Sequence, residues 1–215
     1  DLIVFSATDS AHMARALQLA ARGRYGAHPN PMVGCVIVRD GVVVGEGWHE
    51  KAGEAHAEIN ALRIAGNAAR GATVYVSLEP CAHHGKTPPC ADALAEAGVG
   101  RVVAAMEDPF ANVAGRGLQR LREAGITVEV GLMQGAAESL NAGFISRVQR
   151  GRPRVRLKVA ASLDGATAMN SGESQWITGS AARQDVHRLR ASSGAVMTGI
   201  GTVLADDPSL NVRDV

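Results

Sequence analysis

Between residues 33 and 144, short β-branched apolar runs alternate with segments whose apolar residues recur at helical spacing, and few folds accommodate such an alternation. "VGCVIVRDGVVVGEGW" reads as a hairpin turning at Asp40-Gly41, the dipeptide that two-residue turns favour. A helix over about 10–24 precedes it, with Met13, Leu17 and Ala20 or Ala21 inward. A second helix opens in "AHAEINAL", with Ile59, Leu62 and Ala65 toward the core. Strand "ATVYVSLE", helix "CADALAEAG", strand "RVVAAME", helix "GRGLQRLREAG", strand "ITVEVG" and a helix from about Gln134 to Phe144 follow in turn. Gly98, Gly125 and Gly143 sit where helix C-caps are expected. The pattern predicts a layered α/β domain whose sheet is mixed, because the hairpin adds antiparallel strands to parallel ones.

"RVQRGRPRVRLK" interrupts the alternation, and a boundary at Gly151 divides the chain into 1–150 and 151–215. The second part is expected to hold a strand from near Val155, a helix from Ser180 to Arg190, a strand "AVMTG" and a glycine turn "GIGTV". That turn lacks the third glycine of a dinucleotide fingerprint. The arginines at 147, 150, 152, 154 and 156 read as a solvated linker and strand face. A net charge of +1 and only 3% aromatic residues argue against nucleic acid as partner. With no long apolar span and no signal peptide, a cytoplasmic protein without membrane contact is expected. Cys35, Cys81 and Cys90 are an odd number, which points to core residues or metal ligands rather than disulfides.

The start of "AHAEINAL" is unusual. Helix residues two apart point in different directions, so His56 and Glu58 cannot pack together in the body of a helix. In a first turn, both can face something seated over the helix end. Downstream, "TVYVSLEP" delivers Cys81 just past a strand, and Cys90 opens the next helix after Pro88-Pro89. The imidazole and both sulfurs are therefore expected on one edge of the sheet, where helix ends favour thiolate. One imidazole and two thiolates suit zinc, and three protein ligands leave a fourth position open, as catalytic sites do. Glu58 is then no ligand but the group that moves protons. His-x-Glu followed by Pro-Cys is a signature of zinc deaminases. A purely structural zinc is the competing reading, with His83 or His84 as fourth ligand.

The stretches "HPNPMVGCVIV", "GEGWH", "HAEINAL", "SLEPCAHHGKTPPC", "AMEDPFANVAGRGLQRLREAGI", "SLDG" and "SQWIT" together resemble the bifunctional deaminase–reductase family of riboflavin biosynthesis. The resemblance implies a three-layer α/β/α cytidine-deaminase-like domain over 1–150, followed by the start of a dihydrofolate-reductase-like α/β domain over 151–215. It implies zinc at the first site, NADPH at the second, a small phosphorylated pyrimidine as substrate, and association into a homodimer or larger form. The first activity would deaminate a diaminopyrimidinone ribosylamino phosphate; the second would reduce its ribosyl chain to ribityl. Nucleoside and nucleic-acid base deaminases generally carry Cys-x-x-Cys, whereas "AHHGKTPP" separates Cys81 from Cys90 here. Lys86 in that insert is implied to hold substrate, as are Asn30, set between two prolines, and His49. An asparagine offers a donor and an acceptor together, which matches a pyrimidinone edge. In the second part, the resemblance implies Ala160, Trp176, Thr202 and Asp206 at the cofactor and Ser174, Arg190, Leu210 and Arg213 at the substrate, with Lys158 near the reaction centre. The two arginines suit a phosphate by their planar donor forks. The family's reductase domain continues well beyond the position of Val215, so only its N-terminal part, without a complete NADPH site, is expected here.

Overall fold

Asp40 and Gly41 both take positive φ, 52° and 78°, which a two-residue turn between twisted antiparallel strands requires. Strand β1 (Gly34–Arg39) therefore folds back on β2 (Val42–Trp48), with one irregularity in register between Ile37 and Val38. In this computed structural model, which describes residues 4–83, 88–110, 114–213 and 215, three more strands complete the sheet. They are β3 (Thr73–Val76), β4 (Arg101–Ala104) and β5 (Thr127–Val130), in the spatial order β2-β1-β3-β4-β5. β1 is antiparallel to β2 and β3, whereas β3, β4 and β5 run parallel, so the sheet is mixed as expected.

Alternation along each strand sends side chains to two cores. Cys35, Ile37, Val74, Val76 and Val102 meet the buried faces of α2 (Ala57–Ala65), α3 (Cys90–Glu96) and α4 (Arg116–Glu123). Val36, Val38, Tyr75 and Val103 meet α1 (Ala7–Arg22) and α5 (Gln134–Leu140), with Ile145 of α6 (Ala142–Arg150) packed against them. The result is a three-layer α/β/α unit.

Two details differ from the periodicity. The fully buried stripe of α2 is Ala57, Ala61 and Ala65, while Ile59 and Leu62 are half-buried. The reason lies beneath the helix: a Cβ on Gly45 or Gly47 would stand 2.4 Å from the carbonyl oxygen of Ala61 or Ala57, so α2 rides directly on β2 and only methyl groups fit between. The helix expected over 134–144 is two helices, and Gly143 lies inside the second rather than capping the first. The break falls at Asn141, which is buried and gives both its amide atoms to the backbone of Met32. Gly98 and Gly125 do stand just past α3 and α4 with positive φ.

The chain divides into two units, Asp1–Arg154 and Val155–Val215. The second holds α7 (Ser180–Ala191) and α8 (Ile200–Asp206). The strands expected near Val155 and at "AVMTG" are not formed among its described residues, and "GIGTV" enters α8 instead of a turn. A strand exists only by pairing, and no described residue of this unit pairs with these segments: Val155, Leu157, Val159 and Met197 are all exposed. No helix among the described residues is long and apolar enough to cross a membrane.

Candidate active site

Because β3 and β4 run parallel and β1 runs against them, the ends of β3 and β4, the start of β1 and the end of β2 all reach one edge of the sheet. Each expected site residue of the first unit that is described lies there. His56 is the N-cap of α2, extended at φ −74° and ψ 165°, and Glu58 sits in the first turn behind it. Cys81 follows β3 by way of Glu79-Pro80, and Cys90 opens α3.

His56, Cys81 and Cys90 bring one nitrogen and two sulfurs within 4.8 Å of one another. The imidazole turns Nδ1 toward both thiols, 3.6 Å from Cys81 Sγ and 3.3 Å from Cys90 Sγ. A tetrahedral zinc with bonds of about 2.3 Å to sulfur and 2.0–2.1 Å to nitrogen separates two such ligands by about 3.5 Å, so these spacings are edges of a zinc tetrahedron. The three donors fit the ion, and Nδ1 is the nitrogen that faces it. The backbone N–H of Cys90 also donates to Cys81 Sγ at 3.3 Å. The Cys81 thiol is pulled below its usual range by hydrogen bonds from Cys90 and His56, and the imidazole is pulled up by its bond to Cys81. Of the two sulfurs, these shifts make Cys81 the thiolate, since the Cys90 thiol is pushed up by its hydrogen bond to Cys81 and by burial.

Glu58 is 3% exposed, and burial, with Cys81 close by, pushes its carboxyl up to about 7. It belongs to the wall of a cleft of about 400 Å³ together with Asn30, His49, His56, Cys81, His83, Asp108 and Phe110. Asn30 and His49 are locked together. His49 Nδ1 faces the carbonyl of Ala55 at 3.1 Å, which can only accept, so Nδ1 carries the proton. Nε2 therefore accepts from Asn30 Nδ2 at 3.0 Å. Burial holds the His49 imidazole below its usual value, consistent with this neutral tautomer. Asn30 Oδ1 takes no donor among the described residues and is left as an acceptor for a bound molecule. Lys86 and His84 lie outside the described residues.

Several residues of this edge were not singled out from the sequence. Glu79, 4% exposed, accepts from the backbone N–H groups of Asp108, Gly115 and Gly117 at 3.0, 2.9 and 2.8 Å and thereby ties the segment before Cys81 to the start of α4. Asp108 lines the cleft in its own right, its carboxyl raised by burial. Arg147, expected to be solvated linker, lines the cleft as well and donates to Pro29 O at 3.0 Å. "LEPC" and "EDPF" carried a signal for the two acids, since a carboxylate beside a strand end needs donors; nothing local marked Asn141 or Arg147.

In the second unit, Arg190 donates to the carbonyls of Ser209 and Asn211 on either side of Leu210, and Arg213 binds the Asn211 side chain, so these three expected residues lie together. Trp176 is stacked under Arg183 and is exposed, and Thr202 and Asp206 lie on α8. No hydrogen bond among the described residues joins Lys158, Ala160, Ser174 or Trp176 to the Arg190 group.

Residues 6–106 match the family described as the cytidine and deoxycytidylate deaminase zinc-binding region, and residues 153–215 match the RibD C-terminal domain. The riboflavin biosynthesis protein RibD of Escherichia coli is 64% identical over 95% of this chain and 56% of its own length. The chain belongs to the RibD family. Among solved structures, RibD of Acinetobacter baumannii is 61% identical with a TM-score of 0.91, over 96% of this chain and 58% of that one. A diaminohydroxyphosphoribosylaminopyrimidine deaminase/5-amino-6-(5-phosphoribosylamino)uracil reductase of Thermotoga maritima is 43% identical, with a TM-score of 0.91 over 96% of this chain and 59% of its own. This RibD-family chain thus spans a little over half the length of the relatives it matches.

Proposed function

We propose that the first unit is a zinc-dependent hydrolytic deaminase acting on a diaminopyrimidinone that carries a phosphoribosylamino arm. The observation that carries this reading is the buried Glu58 set two residues from His56, in a cleft lined by His56 and Cys81, which with the buried Cys90 bring one imidazole and two sulfurs to zinc-ligand spacing. When bound, zinc supplies the Lewis acidity that makes water nucleophilic at neutral pH. His56 Nδ1, Cys81 Sγ and Cys90 Sγ would hold the ion, and all three come from backbone positions fixed by a helix start or a strand end. Asn30 Oδ1 accepts from an N–H of the ring, and His49, neutral and bonded on both nitrogens, keeps that amide from turning. Glu58 takes a proton from the attacking water and delivers it to a ring nitrogen, then takes the remaining proton of the new hydroxyl and gives it to the amine as the C–N bond breaks and the carbonyl forms. One C–O bond forms and ammonia leaves. The eight residues between Cys81 and Cys90 distinguish this cleft from those of base deaminases, and Lys86 among them is assigned to substrate.

Residues 153–215 belong, on this reading, to a reductase that uses NADPH to convert the ribosyl chain to ribityl; the match to the RibD C-terminal domain supports it. Arg190, Leu210 and Arg213 are then the substrate group, and Lys158, Ala160, Ser174, Trp176, Thr202 and Asp206 complete the assignment from the family resemblance. A cytoplasmic homodimer or larger assembly is part of the same proposal.

The test is ammonia release from the phosphoribosylamino substrate by zinc-loaded protein, beside Glu58→Gln with its zinc measured. Release by the parent and a loss of at least about 100-fold in a variant that retains zinc is expected. A folded, zinc-loaded parent that releases no ammonia refutes the substrate, and a Glu58→Gln protein that keeps its rate refutes the proton path.

A further inference from the structure

We propose that Arg147 of α6 receives the phosphate of the substrate and sets a preference for the phosphorylated over the dephosphorylated pyrimidine; this rests on the deaminase reading above. Among the described residues that line the cleft, Arg147 is the single arginine or lysine. The other charged groups of the wall are the carboxylates of Glu58, Glu79 and Asp108, beside the sulfur of Cys81. Among the described residues of the wall, a phosphate dianion is repelled by these carboxylates and attracted at Arg147. With the exocyclic amine at the Glu58 and His56 end, the charge of the described wall favours the phosphoribosyl arm toward Arg147.

The guanidinium is also held ready. Its Nη2 donates to the carbonyl of Pro29, the residue before Asn30, at 3.0 Å, and its carbon stands 5.6 Å from the Phe144 ring centroid one turn back on the helix. These two contacts restrain the fork, so less freedom is lost when an anion binds. The contact to Pro29 uses one of five N–H groups, and no acceptor among the described residues claims Nε or Nη1. The bond to Pro29 sets the guanidinium beside the residue that precedes Asn30, so base recognition and phosphate recognition share one short loop and one helix.

The experiment compares kcat/KM for the phosphorylated substrate and for its phosphatase-treated form, using the zinc-loaded full chain and the variants Arg147→Met and Arg147→Lys. Methionine keeps the stem over Phe144 and removes the charge. The parent is expected to prefer the phosphorylated form. In Arg147→Met that ratio falls about 10- to 100-fold, mainly through KM, and Arg147→Lys recovers part of it. An unchanged ratio in Arg147→Met overturns the proposal. Calorimetric binding of ribose 5-phosphate to the same proteins reads the anion site without turnover. If the parent deaminates neither compound but binds ribose 5-phosphate in an Arg147-dependent way, the deaminase reading fails and the anion site stands. Equal binding by parent and Arg147→Met overturns the anion site.

Discussion

Replacing Glu79 should unfold the catalytic edge without removing any of His56, Cys81 and Cys90. Its carboxylate is 4% exposed and accepts three good hydrogen bonds, at 2.8, 2.9 and 3.0 Å, from backbone N–H groups of Gly117, Gly115 and Asp108, with a fourth from Leu118 at 3.4 Å. Hydrogen bonds to a charged acceptor contribute about 1.5–3 kcal/mol each, and donors left buried cost about 1–3 kcal/mol apiece. The terms do not add fully, because the vacated space beside the cleft admits water to some of the donors. Glu79→Ala should therefore destabilise the first unit by about 3–5 kcal/mol, and Glu79→Gln, whose amide turns an –NH2 against two of the donors, by about 2–3 kcal/mol. With a urea slope of about 2 kcal/mol per molar, the Gln variant shifts the unfolding midpoint by about 1–1.5 M. Urea titrations followed by circular dichroism at fixed zinc read this shift. A Glu79→Gln protein within about 0.5 kcal/mol of the parent would show that the four donors are satisfied elsewhere and that Glu79 does not hold the segment before Cys81.

Two further outcomes are expected. Asn141→Ala removes both hydrogen bonds to the Met32 backbone, so KM for the pyrimidine should rise about 10-fold or more with zinc content unchanged; an unaltered KM would mean the loop keeps Asn30 in place unaided. The Asp9 carboxyl is held well below its ordinary value by Arg101 first, and then by Tyr75 and Ser6, against the effect of burial. Such a group stabilises the fold above the unfolded carboxyl value of about 3.9, and that contribution disappears as pH falls below it toward the folded value. Tyr75, pushed up to about 12 by burial and Asp9, stabilises below its ordinary value and loses that contribution as pH rises through about 12. Asp9→Asn should lower the urea midpoint at neutral pH yet flatten its decline below about pH 4; parallel pH profiles for parent and variant would contradict the linkage.

The sheet and its helices were legible because each strand alternates and each turn carries its own chemistry, as Asp40-Gly41 does. The clustering of His56, Cys81 and Cys90 was legible because His-x-Glu and two Pro-Cys pairs are unusual in combination. What escaped the sequence depends on contacts between distant positions. Periodicity gives weight to large residues such as Ile59 and Leu62, but Gly45 and Gly47 bring α2 so close to β2 that alanines fill the interface. The apolar pattern through 134–144 continues across Asn141, and only its bonds to a loop 109 residues earlier explain the break. Arg147 belongs to a run of arginines and gains a role only because α6 lies against Pro29. The alternation at Val155, Leu157 and Val159 has the period of a strand, and the second unit offers it nothing to pair with.

These distant contacts share a physical logic. The catalytic edge is made of loops, and loops carry backbone groups that no sheet or helix satisfies. Here a buried or half-buried polar side chain meets each such segment: Asn141 at Met32, Asn60 at the Trp48 carbonyl, the Ser77 hydroxyl at the Gly34 N–H, and Glu79 at Asp108 and the start of α4. None of the four is a metal ligand, yet each fixes a segment that ends in Asn30, His49 or Cys81 or runs beside one of them. Rigid placement of reacting groups is what makes a cleft catalytic, and misplacement of about 1 Å can cost about 100-fold in rate. Substituting Asn141, Asn60 or Ser77 should accordingly lower turnover more than it lowers zinc affinity, because His56 and Cys90 open helices that remain and Glu79 still holds the segment before Cys81.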